Sequence, residues 1–139
     1  HGTAPRVMAK YGASHAVRGI SQTAVFDLGT LLPEIAAVEG GNSFSLLVLP
    51  GDGSLVAVLN PSTWSFEPRP AKDGYAKSLE PLLSAAFEDS FTLIDLTALR
   101  PAVGMRRGQL EDELFRVIHG FDMLLVMSGS TPSGELEHD

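Results

Sequence analysis

Apolar positions along this chain fall into two patterns, short continuous runs and stripes at helical spacing. Arg6 to Tyr11 reads as a short strand that stops at Gly12, and Gly12 to Gln22 reads as the loop beyond it. Leu28, Leu31, Leu32, Ile35 and Val38 recur at i, i+3, i+4 and i+7, which predicts a helix within Val25 to Val38. Thr30 is its expected N-cap, Pro33 falls in the first turn where a missing N–H costs little, and Gly40-Gly41 ends it. Phe44 to Leu49 is apolar except for Ser45, which suits a strand buried on both faces. Pro50 to Gly53 is a turn, and Leu55 to Leu59 reads as a further strand, in a hairpin or a local excursion. The proline-bearing stretch from Asn60 to Gly74 reads as a long loop.

The second half continues the alternation. Leu79, Leu82, Leu83, Ala86 and Phe87 share a face, which predicts a helix over Ser78 to Glu88. Phe91 to Leu96 is the next strand, Thr97 to Gly108 a loop, Gln109 to Ile118 a helix closed by His119-Gly120, and Phe121 to Met127 the last strand. Strands alternating with helices imply an α/β fold, a mainly parallel sheet flanked by helices with room for one hairpin. Residues 1–139 read as a single α/β domain, or as the C-terminal segment of a larger one, with a frayed tail from Ser133. The opening His1-Gly2-Thr3-Ala4-Pro5 lacks an initiator methionine and reads as cut from something longer.

Composition narrows the chemistry. Apolar residues make up 44% and charged residues 19%, which supports a folded core. The net charge of −7 argues against nucleic acid as a partner, because phosphate binding needs a basic patch. No apolar run approaches the roughly 18 residues of a membrane span. The absence of cysteine excludes disulfides, thiolate metal sites and a cysteine nucleophile. Compartment is left open.

Ligand sites in parallel sheets lie beyond the carboxyl ends of the strands. Of the four such ends read here, Gly12 to Arg18 is richest. His15 has the chemistry of a general base or a metal ligand. Arg18 suits a carboxylate, a phosphate or developing negative charge. Asp27 either orients His15 or caps the helix, capping being the commoner role. Glu34 reads as a solvated helix position and Asp95 as the start of a turn. His119 reads as a helix-end histidine, and Trp64 and Phe66 as cover for the core or an aromatic wall. Gly51-Asp52-Gly53 lacks the lysine and following helix of a phosphate loop.

Three stretches taken together carry a resemblance. Lys10 to Gly19, Val25 to Glu34, and Phe121 to Met127 with Ser130-Thr131-Pro132 resemble the C-terminal half of the erythromycin esterase-like proteins. That group is broadly allied to the ChaN-like haem-binding lipoproteins and the TraB/Tiki proteases. The resemblance implies a hydrolytic site built from two halves. An N-terminal half would supply one histidine and acidic residues, and His15 matches the histidine of the second half. It implies a small-molecule substrate and a water nucleophile, with a divalent metal at such positions in Tiki-like members. No motif of the first half precedes His15, so the segment alone is expected to be inactive. It is also expected to associate with that missing half or with itself. The competing reading is a non-enzymatic α/β module that binds a ligand such as haem.

Overall fold

The computed structural model describes residues 6–73 and 77–132. The tail expected to fray from Ser133 lies outside them. Among the described residues the helices are α1 (Ala13–Ala16), α2 (Leu28–Val38), α3 (Glu80–Leu83), α4 (Arg100–Gly104) and α5 (Asp112–Gly120). The strands are β1 (Leu46–Pro50), β2 (Leu55–Asn60), β3 (Ser65–Pro70), β4 (Phe91–Asp95) and β5 (Met123–Met127).

The α/β class holds, but the sheet is not mainly parallel. Three strands lie in the order β1-β5-β4. The Asp122 N–H donates to the Ser45 carbonyl where both β1 and β5 begin, and the Gly51 N–H donates to the Met127 carbonyl where both end. That pair is parallel. β4 runs the other way: the Ser128 N–H donates to the Ser90 carbonyl, and the Leu96 N–H to the Asp122 carbonyl. A continuous apolar run marks a buried strand without marking its direction, which is why the alternation pattern misleads here.

Other expectations change too. Arg6 to Tyr11 forms no strand, and its side chains are exposed. The stretch read as a long loop after Asn60 contains β3, paired antiparallel with β2 from Leu55↔Pro70 to Asn60↔Ser65. Pro68 and Pro70 concealed it, since proline is confined to edge strands and both strands of a two-stranded ribbon are edges. Trp64 sits in the turn at φ 55, and it and Phe66 are exposed rather than covering a core. The helix expected over Ser78 to Glu88 shrinks to a 3₁₀ turn and the single turn of α3. The expected loop after Thr97 holds α4 between two 3₁₀ turns.

The chain divides into two compact units. One joins the residues up to Leu47 with Asp95–Leu124. Its buried side chains include Val17, Leu47 and Leu96, Leu114, Val117 and Ile118 of α5, and Leu124. The other joins Val48–Ile94 with the chain from Leu125 on. There Ser54 is buried and knits the start of β2 to the end of β5. Its hydroxyl donates to the Met127 carbonyl at 2.9 Å and accepts from the Ser130 N–H at 3.0 Å.

Candidate functional site

The site is built on the segment Ala13 to Gly19, in the unit that holds α1, α2 and α5. Gly12 opens α1 at φ −59, an angle open to any residue, so the backbone freedom expected of this glycine is not used. Tightness comes from Gly29 instead. A Cβ there would lie 2.2 Å from the Ala16 carbonyl carbon and oxygen, so only glycine lets α2 approach α1 this closely. Gly120 plays the same part from α5, where a Cβ would lie 2.3 Å from the Val17 side chain. Val17 is buried, the Arg18 N–H donates to the Gly120 carbonyl, and the Gly19 N–H donates to the Thr30 hydroxyl at 2.9 Å. The Thr30 hydroxyl donates back to the Gly19 carbonyl, so Thr30 ties the segment down and does not cap the helix.

Asp27 is the cap, and it meets His15 as well. Its Oδ1 accepts the Leu28 N–H at 2.7 Å and its Oδ2 lies 2.6 Å from His15 Nδ1. One Asp27 oxygen thus meets His15 and the other the first turn of α2. The hydrogen bond to His15, followed by that from Leu28, holds the Asp27 carboxyl below the usual carboxylate range. A carboxylate only accepts, so the shared proton belongs on Nδ1 of His15 and the lone pair on Nε2. His15 is the more open partner, with 60% of its side chain exposed against 24% for Asp27.

Arg18 faces elsewhere. Its guanidinium forks onto Asp122, Nη1 to Oδ1 at 2.6 Å and Nη2 to Oδ2 at 2.8 Å. Asp122 also accepts the Ser45 N–H at 2.8 Å and a longer bond from Arg100, which itself donates to the Ile118 and Phe121 carbonyls at the end of α5. Burial pushes the Asp122 carboxyl up, but the bonds from Arg18, Ser45 and Arg100 outweigh it and leave it below its ordinary range. The fork that would meet a substrate anion is thus occupied. Asp122 lies within the motif Phe121 to Met127 and is not among the candidates that the strand-end argument selects. The available signal was a lone carboxylate heading the apolar run Met123 to Met127, where a charge needs a partner.

The remaining candidates lie apart from this pair. Asp95 accepts from the Thr97 N–H and hydroxyl and starts a turn. His119 stacks on Phe115, with ring centroids 4.2 Å apart, and Arg107 lies over the same Phe115 ring. Among the described residues, no three His, Asp or Glu side chains gather as a metal would require. His15 and Asp27 together offer two donors, fewer than the three or four of a protein-held zinc, so a metal here would need ligands from elsewhere. Set against known proteins, the chain matches no family model, no curated protein and no solved structure.

Proposed function

We propose that this chain is the C-terminal part of an erythromycin esterase-like hydrolase in which His15 is the general base and Asp27 orients it. The observation that carries the reading is the 2.6 Å bond between His15 Nδ1 and Asp27 Oδ2. It fixes the tautomer and leaves Nε2 free on an open surface. In the reaction, Nε2 takes a proton from water as the water oxygen attacks an ester carbonyl carbon. The imidazolium that forms is stabilised by the Asp27 carboxylate. As the tetrahedral species collapses, the leaving alkoxide takes the proton back from Nε2. Arg18 has a positioning role in this reading, since Asp122 holds its guanidinium and its backbone is tied to Gly120. An N-terminal half supplies the missing donors and the cover that keeps bulk water off so exposed a base.

The test is hydrolysis of a panel of p-nitrophenyl esters and macrolide lactones by the full-length protein. His15→Ala should lower the rate by about 10² to 10⁴ without unfolding the protein. Asp27→Asn should do similar damage, because asparagine still caps α2 through its oxygen and then presents its NH₂ to Nδ1. That forces the proton onto Nε2. Wild-type rates in both variants, or no turnover by the wild type, overturn the proposal.

A further inference from the structure

The unit that holds β2 and β3 carries a concavity to which neither His15 nor Asp27 contributes. It lies where the turn before β2 runs beside the chain leaving β3. Leu55 and Pro70, directly paired at the base of the β2-β3 ribbon, line it together. Asp52 lines it from the turn before β2, and Lys72 from the 3₁₀ turn after β3. Its volume is about 230 Å³. Sites for drug-sized ligands run from roughly 300 to 1,000 Å³, so this one suits a smaller molecule.

The wall of the concavity is fixed by bonds to the end of β5 in the same unit. The Gly51 N–H donates to the Met127 carbonyl at 2.8 Å, the Gly129 N–H to the Asp52 carbonyl at 2.9 Å, and the Leu55 N–H to the Ser130 carbonyl at 2.8 Å. A Cβ at Gly51 would lie 2.4 Å from the Ser128 hydroxyl oxygen, so the turn sits hard against that segment. On the other side the Ala71 N–H donates to the Ser54 carbonyl at 2.9 Å, which sets Pro70 and Lys72 beside the turn. A wall already held in place spares a ligand the cost of ordering it.

The backbone of this wall is engaged, but its charges are not. Among the described residues, neither Asp52 nor Lys72 forms an ion pair. One group of each sign therefore lines a single concavity that also has an apolar pair. An anion such as phosphate would meet Lys72 but be repelled by Asp52, and a simple cation would meet the reverse. An uncharged apolar molecule would cover both charges and pair neither. We propose that the concavity binds a zwitterionic α-amino acid with an apolar side chain. Its ammonium pairs with Asp52, its carboxylate with Lys72, and its side chain rests on Leu55 and Pro70. Asp52 and Lys72 are both exposed, so each pair is weak and the expected dissociation constant is on the order of 1 mM.

Titration of the ¹⁵N-labelled intact chain with L-leucine to about 20 mM at neutral pH tests this, followed by ¹H–¹⁵N NMR spectra. The amide signals of Asp52, Gly53, Leu55 and Lys72 should shift together and saturate. N-acetyl-leucine lacks the ammonium and leucinamide lacks the carboxylate, so each should bind about threefold or more weakly. Asp52→Ser should remove the preference for leucine over N-acetyl-leucine, and Lys72→Met the preference over leucinamide. Both positions are exposed, so the rest of the spectrum should stay unchanged. No saturable shift with leucine, equal binding of the three compounds, preferences that survive both substitutions, or inorganic phosphate binding more tightly than leucine would each overturn the proposal.

Discussion

Arg18 and Asp122 form the interaction whose removal should be felt most. Two short bonds join them and both groups are largely withdrawn from water, at 25% and 15% exposure. Truncating one partner of a buried pair costs about 3 to 5 kcal/mol, because the other is left charged and unpaired. Partial exposure here brings the expectation to the lower end, about 3 kcal/mol. Asp122→Ala should cost about 1 kcal/mol more than Arg18→Ala, since it also strands Arg100 and the Ser45 N–H. At roughly 4 °C per kcal/mol for a chain of this size, Asp122→Ala lowers the melting temperature by about 15 °C. A double-mutant cycle read by urea unfolding isolates the pair, with an expected coupling of about 2 to 3 kcal/mol. A coupling below about 0.5 kcal/mol would refute the clamp and return Arg18 to the pool of groups available to a ligand.

Gly29→Ala should destabilise by 2 kcal/mol or more, on the order of a core overpacking, while Gly12→Ala should be nearly neutral, its Cβ meeting only His15 Cδ2 at 3.8 Å. Paired thermal melts distinguish them, and equal losses would contradict the close approach at Gly29. Ser54→Ala should cost about 1 to 3 kcal/mol in urea unfolding by orphaning the Ser130 N–H, and an unchanged midpoint would count against that link. Burial first, then Arg100 and Arg107, lowers the His119 pKa below its ordinary 6.5. The unfolded chain therefore takes up that proton more readily. The contribution is whole above about pH 6.5 and is lost as pH falls through the folded value. Unfolding midpoints at pH 7.5 and 5.5 should differ less in His119→Phe than in wild type, and equal pH dependence would refute the assignment.

The sequence displayed its elements more clearly than their arrangement. The periodicity of Leu28 to Val38 announced α2, and the apolar runs announced β1, β4 and β5. Hydropathy does not encode strand direction, so the antiparallel β4 was invisible. The prolines of β3 masked a strand, and the apolar residues of Arg6 to Tyr11 suggested one where, among the described residues, no strand pairs with them. At the candidate site, His15, Arg18 and Asp27 were legible because charged and titratable residues stand out near a glycine-ended run. The contact of Asp27 with His15 was one of the two roles open to Asp27, but the partner of Arg18 was not legible. Asp122 lies 104 residues from Arg18, and no local pattern shows that it takes the guanidinium. The N-cap was misplaced for a related reason, since Thr30 and Asp27 both satisfy the local rule and the tertiary bond from Thr30 to Gly19 decides between them.

The state of the His15 ring nitrogens tests the candidate site most directly. Long-range ¹H–¹⁵N NMR correlations of selectively labelled histidine, recorded above the histidine titration range, report which nitrogen carries the proton. With Asp27 held as a carboxylate 2.6 Å away, His15 should show a protonated Nδ1 and an unprotonated Nε2, and Asp27→Asn should reverse the two. A proton on Nε2 in the wild-type chain, unchanged by Asp27→Asn, would contradict the pairing and with it the assignment of His15 as a poised base.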